Sequence, residues 1–222
     1  MPLRALSVLE ARVLGVLIEK AHTVPDSYPL SLNALPLGCN QKTARDPVLA
    51  ASEGEVQAAA DALKQLSLAF ESSGSRVSRY EHNLGRVLGL PSQSVALLAV
   101  LMLRGPQTVS ELRANSERLH RFADLSAVEG FLDELAARPE DKGGPLTARL
   151  ARAPGSREAR WAQLLTGPVS AASLATAADG EDFVAVSELA ALKARLAAAE
   201  AEIAALRSLV DRVCTELDIA RN

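Results

Sequence analysis

The sequence predicts a mainly helical α+β protein in which short β-hairpins follow groups of helices. Apolar residues make up 48% of the 222 residues, enough for one core and more naturally for two small ones. Aromatic residues make up only 3%, which disfavours a many-stranded β-sandwich and a base-stacking platform. The apolar residues recur at helical spacing in a chain rich in Ala, Leu, Glu and Arg, which favour helices.

The first part of the chain predicts three helices. The first covers residues 6–20 and begins with a Ser-x-x-Glu capping box. The second covers roughly residues 30–37, after a loop that contains two prolines. A polar connector with the sequence CNQKTARDPVLAAS comes next, and the third helix begins at another capping box, Ser52 with Glu55.

A β-hairpin is predicted directly after the third helix. A two-residue Ser-Gly loop would pair Phe70 with Val77 and place Glu71 opposite Arg76, and both pairs are favourable across a hairpin. Three helices followed by a hairpin is the order of a winged helix.

The same order is predicted a second time. Helices are expected over 92–104, 108–121 and 126–138, and a hairpin over 146–165. The hairpin residues Arg76, Arg79 and Tyr80 correspond to Arg157, Arg160 and Trp161. We therefore expect two tandem winged-helix domains, residues 1–86 and residues 87–165, with the length differences between them placed in loops.

The rest of the chain predicts a linker and a coiled coil. Residues 166–182 are small and polar, as in a flexible linker, and residues 183–222 carry a heptad repeat. Oppositely charged g–e′ pairs, such as Glu188 with Lys193, favour a parallel homodimer; the alternative is a single helix that folds back on its own body. The predicted dimer interface consists of Leu189, Leu192, Leu196, Ile203, Leu206, Val210, Val213 and Leu217.

Several stretches of the chain resemble the YceH-like family of bacterial proteins. They read LEARVLGVLIEK, YPLSLNAL, CNQKTARDPV, RVSRYEH and PQTVSELR, and the resemblance runs from about residue 4 to residue 165. It implies two winged helices and no established biochemical function. It implies nothing for residues 166–222.

The outward faces of both predicted third helices are largely acidic, which disfavours reading of the major groove by these helices. The outward residues are Glu53, Glu55, Gln57, Asp61, Lys64 and Gln65 in the first copy, and Glu129, Asp133 and Glu134 in the second.

The second hairpin, by contrast, is rich in arginine. With a loop over 153–156, Arg149 would face Arg160 and Arg152 would face Arg157. Like charges directly opposite each other are destabilising, so this hairpin suggests an anionic partner that it contacts through phosphates. The alternative is a solvated hairpin whose arginines pair with carboxylates on neighbouring elements.

The polar connector also allows two interpretations. In one, Lys42 and Arg45 donate hydrogen bonds to an anion or a protein partner. In the other, the connector is structural: Asn40 and Asp46 cap backbone groups and Cys39 is buried as a small apolar residue. The candidate nucleic-acid contacts are thus Arg76, Arg79, Arg149, Arg152, Arg157, Arg160, Lys42 and Arg45.

Catalysis is not predicted. Cys39 lies in no recognisable nucleophile motif, and the three scattered histidines and two distant cysteines predict no metal site and no cofactor. We expect no signal peptide and no membrane span, and a lone pair of cysteines in a leucine-rich chain fits a cytoplasmic protein. Tyr80 and Trp161 are interpreted as core anchors rather than base-stacking residues.

The charge distribution bears on the partner. Residues 1–86 carry nine basic and nine acidic side chains, residues 87–165 ten and nine, and residues 166–222 five and nine. A dedicated DNA-binding protein of this size normally has a clear positive excess. We expect a non-enzymatic binding protein that contacts duplex nucleic acid through basic wings in a transcription-related role; the alternative is a protein–protein interaction scaffold.

Overall fold

In the computed structural model, residues 3–72, 77–152 and 158–169 are described, and they form seven α-helices and five short strands. The first half of the fold comprises α1 (Val8–Thr23), β1 (Leu30–Ser31), α2 (Ala34–Cys39), α3 (Glu53–Gln65), β2 (Ala69–Ser72), β3 (Arg79–His82) and α4 (Leu84–Leu88). The second half comprises α5 (Ser92–Arg104), α6 (Val109–Ser116), α7 (Leu125–Ala136), β4 (Thr147–Arg149) and β5 (Trp161–Gln163). The predicted α+β class is confirmed. The predicted coiled coil and most of the predicted linker lie outside the described residues.

Capping boxes begin several of the helices. The two predicted boxes are confirmed: in the first, the Glu10 amide donates to Ser7 Oγ at 3.1 Å and the Ser7 amide donates to Glu10 Oε2 at 2.8 Å. Thr108 and Glu111 form a third box at the start of α6. These reciprocal bonds satisfy backbone donors that a helix start would otherwise leave unpaired.

The predicted helix over residues 30–37 is wrong in its first part. Leu30 and Ser31 form β1, which pairs with Tyr80 and Arg79 of β3, and helix α2 begins only at Ala34. The pairing joins residues about fifty positions apart, so local apolar spacing does not reveal it.

The register predicted for the first hairpin is also wrong. Phe70 lies opposite Glu81, and Glu71 lies opposite Tyr80. The β2–β3 connection is therefore longer than two residues. In this register the Glu71 carboxylate contacts Lys64 of α3, and the Tyr80 ring is buried beneath the sheet.

The register of the second hairpin differs from the prediction by one residue. Arg149 lies opposite Trp161, not opposite Arg160. A shift of one residue exchanges the two faces of a strand, and here it places the Trp161 ring in the core. The Thr147 hydroxyl, also buried, donates to the Leu132 carbonyl of α7 at 2.9 Å. Core packing thus decides the register.

Helices α1 and α5 pack against each other and join the two halves. The core of the first half continues into α5 through Leu98, Met102 and Leu103, while a second core lies within the second half around Trp161. A Cβ added at Gly15 of α1 would lie 3.0 Å from Leu103, so the glycine permits the close approach. The predicted boundary between residues 86 and 87 falls inside α4.

Candidate functional site

The arginines of the second hairpin are positioned by strands β4 and β5. The Leu150 amide donates to the Arg160 carbonyl at 2.8 Å, which extends the pairing beyond β4. The Arg149 side chain is 60% exposed and Arg152 is exposed. Arg157, predicted to face Arg152, lies outside the described residues. The described part of the hairpin therefore presents two arginines to solvent.

Arg149 and Arg160, which were predicted to face each other, each have a carboxylate neighbour on a helix. The Arg149 guanidinium lies 3.8 Å from Glu129 of α7, and both side chains are well exposed. Arg160 donates to the two carboxylate oxygens of Glu111 at 3.0 and 3.2 Å, and to the Pro106 carbonyl at 3.0 Å. Two parallel bonds to one carboxylate fix the Arg160 side chain in place.

In the described part of the first hairpin, one candidate arginine is exposed. Arg79 is exposed and its guanidinium donates to the Pro29 carbonyl at 2.8 Å. Arg76 lies outside the described residues. Tyr80 and Trp161 are each only 2% exposed, so neither ring presents a face to a base.

The outward faces of α3 and α7 are acidic, as the sequence indicated. Glu53 and Glu55 are exposed at the start of α3, and Asp133 and Glu134 are exposed on α7. Lys64 of α3 does not balance the negative charge of these carboxylates, because its ammonium group is paired with Asp61 and Glu71.

The connector between α2 and α3 is built around the buried Arg45. Its guanidinium donates to Glu19 of α1 at 3.2 and 2.6 Å and to Gln41 at 2.5 Å. It also donates to the carbonyls of Gly38 and Ala44 at 3.1 and 2.8 Å. All five bonds run to groups of this chain, and Arg45 has no exposed side-chain surface. Lys42, in contrast, is exposed.

Burial and the ion pair act in opposite directions on Glu19. Burial raises the pKa of its carboxyl group, but hydrogen bonding and attraction from Arg45, with a smaller effect from Lys20, outweigh burial. The pKa of Glu19 therefore lies below its ordinary value, and the carboxylate is charged at neutral pH.

Asn40 and Cys39 have structural roles in the connector. The Asn40 amide group donates to the Ala51 carbonyl at 2.8 Å and accepts from the Ala51 amide at 2.9 Å. Cys39 is fully buried, and burial raises the pKa of its thiol to about 11, so the thiolate needed for nucleophilic chemistry does not form near neutral pH. These contacts match the structural interpretation of Asn40 and Cys39.

Two arginines of this region were not selected from the sequence. Arg12, on α1, is 1% exposed and donates to the carbonyls of Cys39 and Pro47 at 2.9 and 2.6 Å. Arg104 is the half-buried last residue of α5. The signal for Arg12 was a charged residue within an otherwise apolar helical run, whereas nothing local marks Arg104.

Among the described residues, no group of three or more His, Cys, Asp or Glu side chains is arranged to hold a metal ion. Within the same part of the chain, none of the helices combines the length and apolar character needed to cross a bilayer.

Comparison with known proteins places most of the chain in one group. A family model described as "Protein of unknown function, DUF480" matches residues 6–156. A UPF0502 protein of Burkholderia vietnamiensis is 61% identical over 219 residues, which is 98% of this chain and 91% of the relative. A UPF0502 protein of Methylibium petroleiphilum is 66% identical over 203 residues, 90% of this chain and 85% of the relative.

Proposed function

The chain belongs to the DUF480 (UPF0502) family of uncharacterised bacterial proteins, and we propose that it is a non-enzymatic binding protein that contacts the phosphate backbone of duplex nucleic acid in a transcription-related role. The sequence resemblance to the YceH-like family agrees with this membership. The proposed contact surface is the exposed edge of the second hairpin.

The observation that carries the proposal is the exposure of Arg149 and Arg152 on one hairpin. The Glu129 carboxylate beside Arg149 does not prevent this role. A solvent-exposed pair at 3.8 Å contributes roughly 0–1 kcal/mol, so a phosphate can replace the carboxylate at little cost. Phosphate contacts of this kind position a protein without reading sequence.

Two further hairpin residues have separate roles in the proposal. Arg160 stabilises the hairpin against α6, because it makes two partly buried hydrogen bonds to Glu111. Arg79 adds an exposed cation on the first hairpin. Arg45 is committed to Glu19 and does not belong to the contact surface, whereas the exposed Lys42 is a candidate for it.

The proposal also treats each half as a winged-helix domain. In both halves a residue that precedes the second helix pairs with the aromatic residue of the hairpin: Leu30 with Tyr80, and Gln107 with Trp161. This shared pairing supports a tandem arrangement of two related units.

Dimerisation through the C-terminal helix completes the proposal. The heptad repeat over residues 183–222 supports it, and these residues lie outside the described part of the chain. A dimer would present two copies of the hairpin to one duplex and raise the affinity of a weak contact through effective concentration. Sizing the full chain against the variant Leu196→Asp/Ile203→Asp tests this: an unchanged mass would contradict the dimer.

The nucleic-acid contact is tested by fluorescence anisotropy with a labelled duplex of unrelated sequence. The full chain should bind at low salt and lose affinity steeply as salt rises. The double variant Arg149→Ala/Arg152→Ala should bind several-fold more weakly, and its salt slope should fall by about two.

The matched control is Arg118→Ala/Arg121→Ala, which removes the same charge from exposed arginines on the turn after α6. It should retain most of the affinity. Absence of duplex binding at low salt, or equal losses in both double variants, would contradict the proposed surface.

A protein–protein scaffold is the second candidate. It is favoured by exposed apolar side chains near the connector, since Leu37 of α2 is 75% exposed and Val48 is 57% exposed. The acidic faces of α3 and α7 also fit this candidate better than they fit DNA. Here, nuclease treatment should leave capture of a specific partner unchanged, and Leu37→Ser should reduce it.

The buried and protonated Cys39 thiol supports a non-enzymatic role. Cys39 is enclosed, and its pKa of about 11 keeps it protonated. Its backbone carbonyl accepts a hydrogen bond from Arg12, which is a structural contact.

A further inference from the structure

The end of helix α5 is held against the connector. The Asp46 amide donates to the Leu103 carbonyl at 2.8 Å. Gly105 follows with a positive φ of 71°, and a Cβ at this glycine would lie 3.1 Å from an Asp46 carboxylate oxygen. The backbone on both sides of Arg104 is therefore tied to the connector, within range of the Arg45 charge.

Arg104 lies in an electrostatic environment that disfavours its charge. Burial is the largest effect and lowers the pKa of Arg104; the neighbouring Arg45 lowers it further, and only Glu19 opposes them. Glu19 is already engaged, because it accepts two hydrogen bonds from Arg45 and lies 3.2 Å from the Lys20 ammonium group. Among the described residues, no hydrogen bond or ion pair to the Arg104 side chain is found.

Positive charge exceeds negative charge in this region, which we call the connector cluster. The cluster contains four cations and two carboxylates: Arg12, Lys20, Arg45 and Arg104 against Glu19 and Asp46. Two of the cations, Arg12 and Arg45, are almost fully buried. The Arg12 Nε–H is buried without a partner among the described residues. Buried charges normally have compensating partners, and the two carboxylates offset only two of the four cations. The remaining excess lies with Lys20 and Arg104, which are partly exposed and can be reached by an anion from solvent.

We propose that Arg104 binds a phosphate group at the connector cluster. The planar guanidinium donates two parallel hydrogen bonds to oxyanions, and the negative charge of a phosphate group offsets the excess of cations. Arg45 sets the field at the site and does not touch the ligand, because its side chain is fully buried. Lys20, 21% exposed and next to Glu19, is the second group able to turn toward the anion.

The competing explanation is that the α5 C-terminus alone stabilises the Arg104 cation. A cation in the last helical turn gains about 0.3–1 kcal/mol from the helix dipole. This effect predicts a contribution to folding but no response to an added anion. The two explanations are therefore separable by ligand binding.

The phosphate could come from a free phosphoanion or from a nucleic-acid backbone, and the test has one arm for each source. In the first arm, the full chain is unfolded thermally in sodium pyrophosphate and in sodium chloride of equal ionic strength. Pyrophosphate should raise Tm by about 3 °C when it is well above its Kd. The rise should vanish in Arg104→Gln and remain in the control Arg118→Gln, which alters an exposed arginine outside the cluster.

The second arm measures duplex binding by anisotropy, as above. If the ligand is a backbone phosphate, Arg104→Gln weakens duplex binding several-fold while pyrophosphate has no specific effect. The proposed site would be wrong if pyrophosphate changes Tm equally in the unmodified chain, Arg104→Gln and Arg118→Gln, and if Arg104→Gln also binds the duplex as well as the unmodified chain. Arg104→Lys keeps the charge but loses the two-bond geometry, and it serves in both arms if Arg104→Gln does not fold.

The site is independent of the hairpin surface. The variant Arg149→Ala/Arg152→Ala should therefore keep the full pyrophosphate response. If duplex binding does not depend on Arg149 and Arg152 but the pyrophosphate response depends on Arg104, the hairpin proposal is wrong and the Arg104 site is retained. If duplex binding depends on Arg149 and Arg152 but neither arm depends on Arg104, only the Arg104 site is wrong.

Discussion

In the first half of the molecule, the side chain of Arg45 is buried and bonded to Glu19, Gln41 and two carbonyls, whereas in the second half Arg149 and Arg160 meet their carboxylates nearer the surface. Both halves share the order of helices and hairpin. They differ in where the guanidinium groups lie, and therefore in what an ion pair contributes. A buried pair is costly to break, and an exposed pair is weak.

This difference separates structural cations from available ones. The connector between α2 and α3 uses its arginine to hold α1, and so a motif that is prominent in sequence is largely internal. The second half has a shorter connection between its corresponding helices and leaves its arginines on the hairpin. The second half is consequently the better candidate for binding an anionic macromolecule.

The largest expected effect is loss of the buried ion pair. Arg45→Gln should lower the free energy of unfolding by about 3 kcal/mol, because the Glu19 carboxylate stays largely buried and loses both of its hydrogen bonds from Arg45. Arg160→Gln should cost about 1 kcal/mol. Urea denaturation followed through the fluorescence of the single tryptophan, Trp161, measures both. Equal losses would mean that burial does not distinguish the two halves.

Two glycines should respond to alanine with opposite signs. A Cβ at Gly38 would lie 2.5 Å from Val16 of α1, so Gly38→Ala should destabilise by about 1–3 kcal/mol. A Cβ at Gly130 of α7 meets nothing within 4 Å, so Gly130→Ala should stabilise by about 0.5–1 kcal/mol. Thermal unfolding of the two variants tests this contrast, and a loss in both would show that α7 is also closely covered.

The first hairpin should make stability depend on pH. Burial, and then His22, lower the pKa of His82 to about 4, below its ordinary value of 6.5. Between these values the unfolded chain binds a proton that the folded chain does not, so stability falls as pH falls from about 6.5 to about 4. His82→Gln introduces the residue found at the corresponding position of the second hairpin, Gln163, and should flatten this part of the profile. Unfolding free energies at several pH values measure the slope; an unchanged slope would assign it to other groups.

The smallest effect is expected at the exposed pair of the second hairpin. Arg149→Ala should change the free energy of unfolding by less than about 0.5 kcal/mol. A double-mutant cycle with Glu129→Gln should give a coupling energy of the same small size. A coupling above about 1 kcal/mol would show that Glu129 holds Arg149 firmly and would weaken the proposal that a phosphate replaces it.

Much of the helical structure was predictable because its causes are local. The Ser-x-x-Glu boxes at Ser7 and Ser52 mark helix starts through bonds that span only three residues. The helix predicted over 92–104 matches α5 in full, since a continuous apolar run leaves little choice. The positions of the hairpins in the chain were predictable for the same reason, but the pairing of residues within each hairpin was not.

The errors and omissions have long-range causes. The short strand β1 depends on β3, and both hairpin registers depend on how Tyr80 and Trp161 enter their cores. The candidate site was predicted in part: Arg149 and Arg152 are exposed, but Arg45 is internal. No local pattern distinguishes an arginine that pairs with a distant Glu19 from one that faces solvent.

The α+β class, the starts of the main helices and the family follow from local sequence, because capping, helical spacing and motif identity depend on residues close together in the chain. Three features are set by the tertiary fold: which arginines are buried, which face each hairpin residue occupies, and the effect of the Arg45 charge on Arg104. Those outcomes depend on contacts between segments far apart in sequence, where burial and pairing change the energy of a charge more than its residue type does.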